Sequence, residues 1–169
     1  MIERIVVVDI ETTGLSPNYD RIIEVGAVAV EGGEITDEFH SLVDPGRPIP
    51  WHAQKVHGIT DEMLMGQPRP EKILPQVHDF FGRSALVAHN ARFDLAFLQR
   101  EFSRLGLELG ARSHCTLQLA RQMLPRLPNH RLETVAKHLL GKELIEGRQL
   151  HRALNDARVT AQVWLMLNA

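Results

Sequence analysis

The sequence has 169 residues, of which 44% are apolar and 24% are charged, and its formal net charge is −2. This length fits a single domain over residues 1–169, and the charge argues against tight non-specific binding of nucleic acid. The only cysteine, Cys115, excludes an internal disulfide and is typical of a reducing compartment. No targeting segment and no membrane-spanning stretch is apparent, so we expect a cytoplasmic protein that does not bind membranes.

Charge is distributed unevenly along the chain. Residues 1–111 carry 10 Lys and Arg against 17 Asp and Glu, a balance of −7. Residues 112–158 carry 9 Lys and Arg against 4 Asp and Glu, a balance of +5. The basic part either contacts phosphates or forms a solvated helical surface, and the sequence leaves both interpretations open.

The first predicted strand, over residues 4–9, leads into two acidic residues. The run from Ile5 to Val8 is β-branched and apolar, as in a buried strand, and Asp9 and Glu11 follow it. Side chains two residues apart on a strand point to the same face, so these carboxylates converge beside an apolar core. Ionised carboxylates this close repel one another, so either one of them is protonated or a cation lies between them, and oxygen ligands suit Mg²⁺ or Mn²⁺. The alternative is a strand end with two solvated acids.

The spacing of apolar residues predicts the remaining elements in chain order. Two apolar runs on either side of Gly32-Gly33 predict a β-hairpin with strands over 22–31 and 34–43. The acid inside the first of these runs, Glu24, is interpreted as lying at an edge or end of the sheet rather than as a ligand. The other predicted elements are helices at 52–57, 60–63 and 73–81, a strand at 85–88, a helix ended by Gly106, a strand at 113–117, a helix ended by Pro125, a helix at 132–140, a polar segment at 147–151 and a last helix at 152–168. This order predicts an α/β fold with an antiparallel hairpin on a partly parallel sheet.

Two further acids and a histidine stand out in the second half of the chain. Asp94 would lie in the first turn of its helix, where the helix dipole alone explains an acid. Asp156 shares a helix face with apolar residues, so it is either a metal ligand or the partner of Arg152 or Arg158. His151 could accept a proton from water, although a lone histidine is more often a surface or capping residue. Together with the strand acids, this set could hold two divalent cations about 4 Å apart for attack on a phosphodiester.

Three motifs, in this order, resemble those of the DEDDh (DnaQ-like) 3′→5′ exonucleases, the group that includes the epsilon subunit of bacterial replicative DNA polymerase. Residues 9–14 (Asp-Ile-Glu-Thr-Thr-Gly) resemble the first motif, and residues 89–94 (His-Asn-Ala-Arg-Phe-Asp) resemble the second. Residues 151–156 (His-Arg-Ala-Leu-Asn-Asp) resemble the third. A segment often found between the first two motifs is matched by residues 56–60, and the resemblance extends over residues 5–167.

The resemblance implies a ribonuclease H-like fold, a mixed sheet flanked by helices. It also implies release of 5′-mononucleotides from the 3′ end of DNA, single-stranded or frayed, in proofreading or repair. It assigns the general base to His151 and the binding of two Mg²⁺ or Mn²⁺ ions to four acids, Asp9, Glu11, Asp94 and Asp156. The turn that would hold the terminal nucleotide consists of Thr12, Thr13, Gly14 and Leu15. Two weaker candidates for substrate contact are His57 and Asn90.

The expected partner is a nucleic acid with a free 3′ end, and a DNA polymerase is a further candidate. Epsilon subunits usually continue with a flexible tail that binds the polymerase, whereas this chain ends at Ala169, so it is either a stand-alone exonuclease or an excised domain. An exoribonuclease that trims RNA and a phosphatase acting on small phosphate esters share the same metal chemistry. A catalytically silent nucleic-acid-binding module is the alternative from a different class, but such a module has no need of four costly acids.

Overall fold

A mixed five-stranded sheet forms the centre of the molecule. The computed structural model describes residues 4–110, 112–142, 145 and 151–169. The strands are β1 (Ile5–Thr12), β2 (Ile22–Glu31), β3 (Glu34–Leu42), β4 (Ala85–Ala88) and β5 (Ser113–Cys115). Their spatial order is β3-β2-β1-β4-β5. Strands β1, β4 and β5 run parallel to one another, and β2 is antiparallel to both of its neighbours, β1 and β3. The predicted hairpin on a partly parallel sheet is therefore confirmed.

Helices cover the sheet, and their ends follow local chemistry. In the described ranges they are α1 (Trp51–His57), α2 (Asp61–Leu64), α3 (Pro70–Phe81), α4 (Ala91–Arg104), α5 (Thr116–Met123), α6 (Leu132–Leu140) and α7 (Ala153–Leu167). Gly58 ends α1 in the left-handed conformation, and the Thr60 hydroxyl accepts from the Met63 N–H to cap α2, both as predicted. Among the helices so described, none has the length and apolar character needed to cross a membrane.

The alternation of side chains along β1 decides which helix each residue meets. Val6 and Val8 belong to the core cluster that includes residues of α3 and α4. Val7 packs in a separate cluster with Ala157 and Ala161 of α7. Because strand residues alternate between the two faces, the odd-numbered residues that follow Val7 also lie on the side of α7. This periodicity carries the two acids of the first motif toward the last helix.

Two expectations for the strands differ from the structure, and a third prediction lies mostly outside the described residues. Strand β1 does not end at residue 9 but continues to Thr12, which pairs with Ile22 across a bulge, so both acids lie inside the sheet. Glu24 does not lie at an edge of the sheet, because β2 is an inner strand and the residue is fully buried. It does lie near the end of the sheet, the other expected position, opposite Glu11 on β1 and Leu42 on β3. The reason for its burial is a partner from α7, described below. Of the polar segment predicted at 147–151, residues 147–150 lie outside the described residues.

Candidate active site

Three carboxylates from two elements meet at the end of β1. Asp9 and Glu11 project from this strand toward α7, and Asp156 projects back from the first turn of that helix. One oxygen atom from each of the three lies within 4.8 Å of the other two. The i, i+2 spacing on the strand and the apolar face of the last helix therefore bring together residues separated by about 145 positions in sequence.

Asp94 lies beside this group and has a hydrogen bond of its own. It occupies the first turn of α4, is only 3% exposed, and its Oδ1 accepts from the Ile10 N–H at 3.3 Å. Its negative charge contributes to the raised pKa of Asp9. Asp94 is not among the three carboxylates that lie within 4.8 Å of one another, so its role as a fourth metal ligand stays a prediction.

Burial and mutual repulsion make these carboxyl groups hard to ionise. Burial first, and the neighbouring carboxylates second, raise the pKa of Asp9 well above its usual range and the pKa of Glu11 to about 8. Burial is also the main reason why the pKa of Asp94 rises to about 8 and that of Asp156 to about 6. A divalent cation would offset this repulsion and keep the carboxylates ionised near neutral pH.

The pairing of the surrounding cations supports a metal ligand role for Asp156 rather than an ion pair. Within the described residues, Arg152 pairs with Glu24 and Arg158 pairs with Glu38, so the expected alternative of an arginine partner for Asp156 is wrong. Asp156 Oδ1 is buried and has no hydrogen-bond partner in the part of the chain that the structure describes. An unsatisfied buried carboxylate oxygen in an oxygen-only set fits a hard cation such as Mg²⁺ or Mn²⁺.

His151 stands at the entrance to α7 in an unusual backbone conformation. Its φ is +64°, and its backbone N–H donates to Asp156 Oδ2 at 3.1 Å. The residue is exposed and, with Asp156, lines a cavity of about 570 Å³. A histidine in this position is accessible to water beside the carboxylates, as a general base requires. That catalytic role stays a prediction.

The turn after β1 is held from within and presents one apolar side chain to solvent. The Thr12 hydroxyl donates to the Gly14 carbonyl at 2.6 Å, and the buried Thr13 hydroxyl donates to Asp20 Oδ1 at 3.1 Å. A Cβ at Gly14 would lie 2.4 Å from the Asp20 carboxylate, so a larger residue there would have to displace this side chain. Leu15 is 85% exposed. Sequence reasoning missed Asp20, whose only signal was its position at the end of a polar turn.

His57 is a buried neutral imidazole on the same side of the molecule. It is 4% exposed, and its Nδ1 accepts from the Ile59 N–H at 3.0 Å. Burial lowers the pKa of this histidine, and the charges that act on it include those of Glu24 and His151. Its Nε2 is buried without a partner among the described residues. The backbone of Thr12 opposes this lowering of the pKa, which places the ring against the turn of residues 12–15. Contact between His57 and a substrate stays a prediction.

Asn90 and His89 follow β4 and have different surroundings. Asn90 is exposed, adopts a left-handed φ of 76° at the start of α4, and lines the same cavity as His151. Its substrate contact also stays a prediction. His89 Nδ1 lies 2.9 Å from the Thr116 hydroxyl, and its Nε2 lies 2.8 Å from the His130 carbonyl. Both ring nitrogens of His89 therefore form hydrogen bonds within the protein, as in a structural histidine.

A protein-family model described as Exonuclease, RNase_T, matches residues 6–164. The chain belongs to this exonuclease family. The resemblance found in the three sequence motifs is thus confirmed, and the acids of all three motifs fall within the matched range. The matched range begins in β1 and ends in α7, so it includes both elements that supply the three clustered carboxylates.

Curated relatives of this exonuclease domain include large polymerases. The chain is 46% identical over 164 residues to a DNA polymerase III PolC-type of Halalkalibacterium halodurans, covering 96% of this chain and 11% of that protein. It is 44% identical over 162 residues to a DNA polymerase III PolC-type of Thermotoga maritima, covering 95% of this chain and 11% of that protein. The chain spans about 11% of the length of the curated relatives it matches.

Solved structures confirm the fold of the family. Exonuclease X in complex with 5′ overhanging duplex DNA superimposes with a TM-score of 0.78 at 30% identity, over 96% of this chain and 90% of that one. Escherichia coli exonuclease I in complex with a dT13 oligonucleotide superimposes with a TM-score of 0.84 at 19% identity, over 99% of this chain and 41% of that one. The second similarity concerns the fold alone. The expected ribonuclease H-like arrangement, a mixed sheet flanked by helices, is confirmed.

Proposed function

We propose that this chain is a 3′→5′ exonuclease that uses two divalent cations, Mg²⁺ or Mn²⁺, to release 5′-mononucleotides from DNA. The observation that carries the proposal is the group of three carboxylates whose oxygen atoms lie within 4.8 Å of one another, Asp9, Glu11 and Asp156. DNA as the substrate is supported by the DNA polymerase relatives and by the complex of exonuclease X with duplex DNA. Single strands or frayed ends suit the open cavity beside the carboxylates.

The residues that would hold the cations are acids, of which Asp94 and Asp156 are buried and Asp9 and Glu11 are partly exposed. Asp94, Asp156 and Glu11 all raise the pKa of Asp9, so Asp9 is close to each of the other three acids. In the proposal, which here follows the family resemblance, Asp9 would be a ligand of both cations. When bound, the cations would activate a water molecule and stabilise the leaving oxygen in an in-line displacement. The ligands of the proposal are Asp9, Glu11, Asp94 and Asp156.

In the proposed reaction, His151 moves the proton. As a neutral imidazole, it accepts a proton from the water that attacks the last phosphodiester. The water oxygen forms a bond to phosphorus as the bond from phosphorus to the 3′ oxygen of the preceding nucleotide breaks, which releases a 5′-mononucleotide. The leaving 3′ oxygen takes up a proton from solvent, and His151 returns its own proton to solvent, so that a new 3′ hydroxyl remains. The hydrogen bond from the His151 backbone N–H to Asp156 connects the proposed general base to a proposed metal ligand.

Substrate binding is assigned to two adjoining surfaces. The turn of residues 12–15 would hold the terminal nucleotide through backbone donors and through the exposed Leu15, with His57 and Asn90 as further contacts. The cavity that contains His151 is also lined by Arg121 and Arg131, whose charges suit phosphates further along the strand. In this proposal residues 1–169 are one exonuclease domain that acts beside a DNA polymerase in the cytoplasm.

Digestion of matched DNA and RNA single strands, labelled at the 5′ end, tests the proposal. Each strand is incubated with Mg²⁺, with Mn²⁺ and with EDTA, and the Asp156→Asn variant is the control. We expect metal-dependent shortening of DNA from its 3′ end, with 5′-mononucleotides as the product. Faster digestion of RNA would instead identify an exoribonuclease that trims RNA.

Two other outcomes would replace the proposal. Binding of the strands without shortening in either metal, by a folded sample, would identify a catalytically silent module. Release of phosphate from single nucleotides without attack on strands would identify a phosphatase. A strand whose 3′ end is blocked by a phosphate controls for contaminating endonucleases, since an endonuclease cuts it and a 3′→5′ exonuclease is slowed.

A further inference from the structure

Glu24 is a buried acid whose carboxylate does not belong to the candidate metal site. It is 0% exposed and stands opposite Glu11 in the register between β2 and β1. Both of its oxygens are occupied: Arg152 Nε lies 3.1 and 3.2 Å from them, and Arg152 Nη2 donates to Oε1 at 2.9 Å. The Ala153 N–H donates to Oε2 at 3.1 Å, and His40 Nε2 lies 2.7 Å from Oε1.

The partners of Glu24 are the residues that begin α7. Arg152 precedes this helix and Ala153 is its first residue. The close approach of the two elements has independent support at Gly26, where a Cβ would lie 2.2 Å from the Leu154 backbone nitrogen and 2.3 Å from the Ala153 carbonyl carbon. Strand β2 therefore holds the helix start twice, through a buried carboxylate and through a backbone contact that only glycine permits.

The two residues held by Glu24, Arg152 and Ala153, lie in sequence between His151 and Asp156, the two groups that the proposed reaction needs. His151 comes one residue before Arg152, and its φ of +64° is a conformation that a side chain with a Cβ rarely adopts. Such a conformation persists only where the surroundings determine it. One determinant is the bond from the His151 N–H to Asp156 Oδ2, and the other is the anchoring of the next residue by Glu24.

We infer that Glu24 is a positioning residue, which fixes the first turn of α7 so that His151 and Asp156 are held at the carboxylate site. It acts through Arg152 and does not touch the substrate. The kinetic part of this inference rests on the proposed function, whereas the placement of the His151 ring can be measured without any reaction. A carboxylate at this position contributes to the rate although it is not a metal ligand.

The variant Glu24→Gln tests the inference, with Glu38→Gln as its matched control. Glu38 also pairs β3 with an arginine of α7, since Arg158 Nε donates to it at 2.8 Å, but this pair lies farther along the helix and is partly exposed. For Glu24→Gln we expect kcat to fall by about 10²-fold with KM changed by less than about threefold, because misplacing a reacting group slows the chemical step. Glu38→Gln should leave both constants near the wild-type values.

Nuclear magnetic resonance of the histidine rings separates positioning from general loss of stability. We expect the His151 ring signals to shift in folded Glu24→Gln and to remain in place in Glu38→Gln. A merely structural role would lower the melting temperature, reduce kcat in proportion to the folded fraction and leave the His151 signals of the folded molecules unchanged. That result, or a folded Glu24→Gln variant with wild-type kcat, would overturn the inference.

Two further arms keep the test decisive. If Glu24→Gln does not fold, Arg152→Lys replaces it, because lysine keeps the positive charge but loses the guanidinium that reaches both oxygens. The same fall in kcat and the same His151 shift are expected, and their absence counts against the inference. If the wild-type protein digests no strand, the proposed function fails, and the His151 signals alone decide whether Glu24 positions the helix start.

Discussion

Buried acids occur in two regions of this molecule with opposite surroundings. On α4, Glu101 is 2% exposed, and its carboxylate accepts from Arg21 Nε at 2.6 Å and Nη2 at 3.0 Å, while Arg104 Nη1 lies 2.9 Å away. At the carboxylate site, four acids lie close together, and none of them forms an ion pair within the described residues. These are Asp9, Glu11, Asp94 and Asp156. The nearby guanidinium of Arg152 is bound to Glu24 instead.

The difference separates an acid that is paired within the fold from unpaired acids that the proposed function would use. Removal of the buried acid Glu101 would leave its two partly exposed arginine partners, Arg21 and Arg104, without a charged acceptor. The clustered acids instead oppose folding, since each raises the pKa of its neighbours. Perturbed carboxyl groups grouped in an open site are a feature of catalytic centres. Neutralising an acid of the carboxylate site should therefore reduce activity without loss of stability. Neutralising Glu101 should reduce stability without loss of activity.

Asp9→Asn should produce the largest effect, on activity. Replacing the carboxylate by an amide would remove a proposed metal ligand, and we expect turnover to fall by about 10³-fold or more, since bound cations contribute several kcal/mol to the transition state. Without metal the variant should be at least as stable as wild type, because one repelling acid is gone. Turnover on a labelled strand and thermal melting in EDTA measure the two effects. Retained turnover would remove Asp9 from the metal site.

His151→Ala tests the proposed general base of the carboxylate site. We expect turnover to fall by about 10²-fold, the lower range for a lost general base, with KM little changed. The control is His138→Ala, because His138 is an exposed histidine of α6 and should be dispensable. A change confined to KM would show that His151 only positions the substrate.

Glu101→Gln should affect stability rather than chemistry. Loss of the charged acceptor leaves Arg21 and Arg104 without their buried partner, and we expect the free energy of unfolding to fall by about 2–3 kcal/mol. Urea denaturation measures this fall, and kcat per folded molecule should stay near wild type. A large loss of kcat would mean that Arg21 transmits the change to the substrate turn, since its N–H donates to the Thr13 hydroxyl.

Local patterns in the sequence were sufficient to predict the acids of one region but not the pairing in the other. The i, i+2 spacing on β1 and the apolar face of α7 pointed to Asp9, Glu11 and Asp156, because these signals depend on strand and helix periodicity alone. The partner of Glu24 lies 128 residues away in sequence, so an isolated acid in an apolar strand was interpreted as an edge residue. Arg21 and Glu101, 80 residues apart, were missed for the same reason.

Backbone conformation and close contacts were also beyond prediction. The left-handed φ of His151 and Asn90 depends on tertiary contacts that no propensity encodes. The extension of β1 beyond Asp9 depends on pairing with β2 across a bulge. By contrast, the Gly32-Gly33 hairpin and the Thr60 cap were predicted correctly, since both involve residues adjacent in sequence.

The dependence of stability on pH should reveal the raised pKa values of the carboxylate site. Folding raises the pKa of Glu11 from 4.5 to about 8 and that of Asp156 from 3.8 to about 6. Between these limits the folded state binds more protons than the unfolded state, so the stability of the metal-free protein should fall as pH rises from about 5 to 8. Melting in EDTA measures the fall, which should be shallower in Asp9→Asn and reversed by Mg²⁺ at pH 8. A melting temperature that rises over this interval would contradict the raised pKa values.

The smallest expected effect concerns the arginines near the carboxylate site. Arg131 lines the cavity that contains His151 and Asp156, whereas Arg126 lines a different cavity beside Met123. If phosphates lie along the first cavity, Arg131→Gln should reduce the slope of log Kd against log salt by roughly 0.7, the value for one contact to a single strand. Arg126→Gln should leave the slope unchanged.

Fluorescence anisotropy of a labelled strand, measured in the Asp9→Asn background so that the strand survives, gives both slopes. Equal changes in the two variants would show that the basic segment of residues 112–158 attracts the strand through its overall positive charge and that phosphates do not bind in the cavity with Arg131 in particular. No change in either variant would restore the other interpretation of that segment, a solvated helical surface. A change in Arg131→Gln alone would place the strand beside the unpaired acids, since that cavity also contains Asp156.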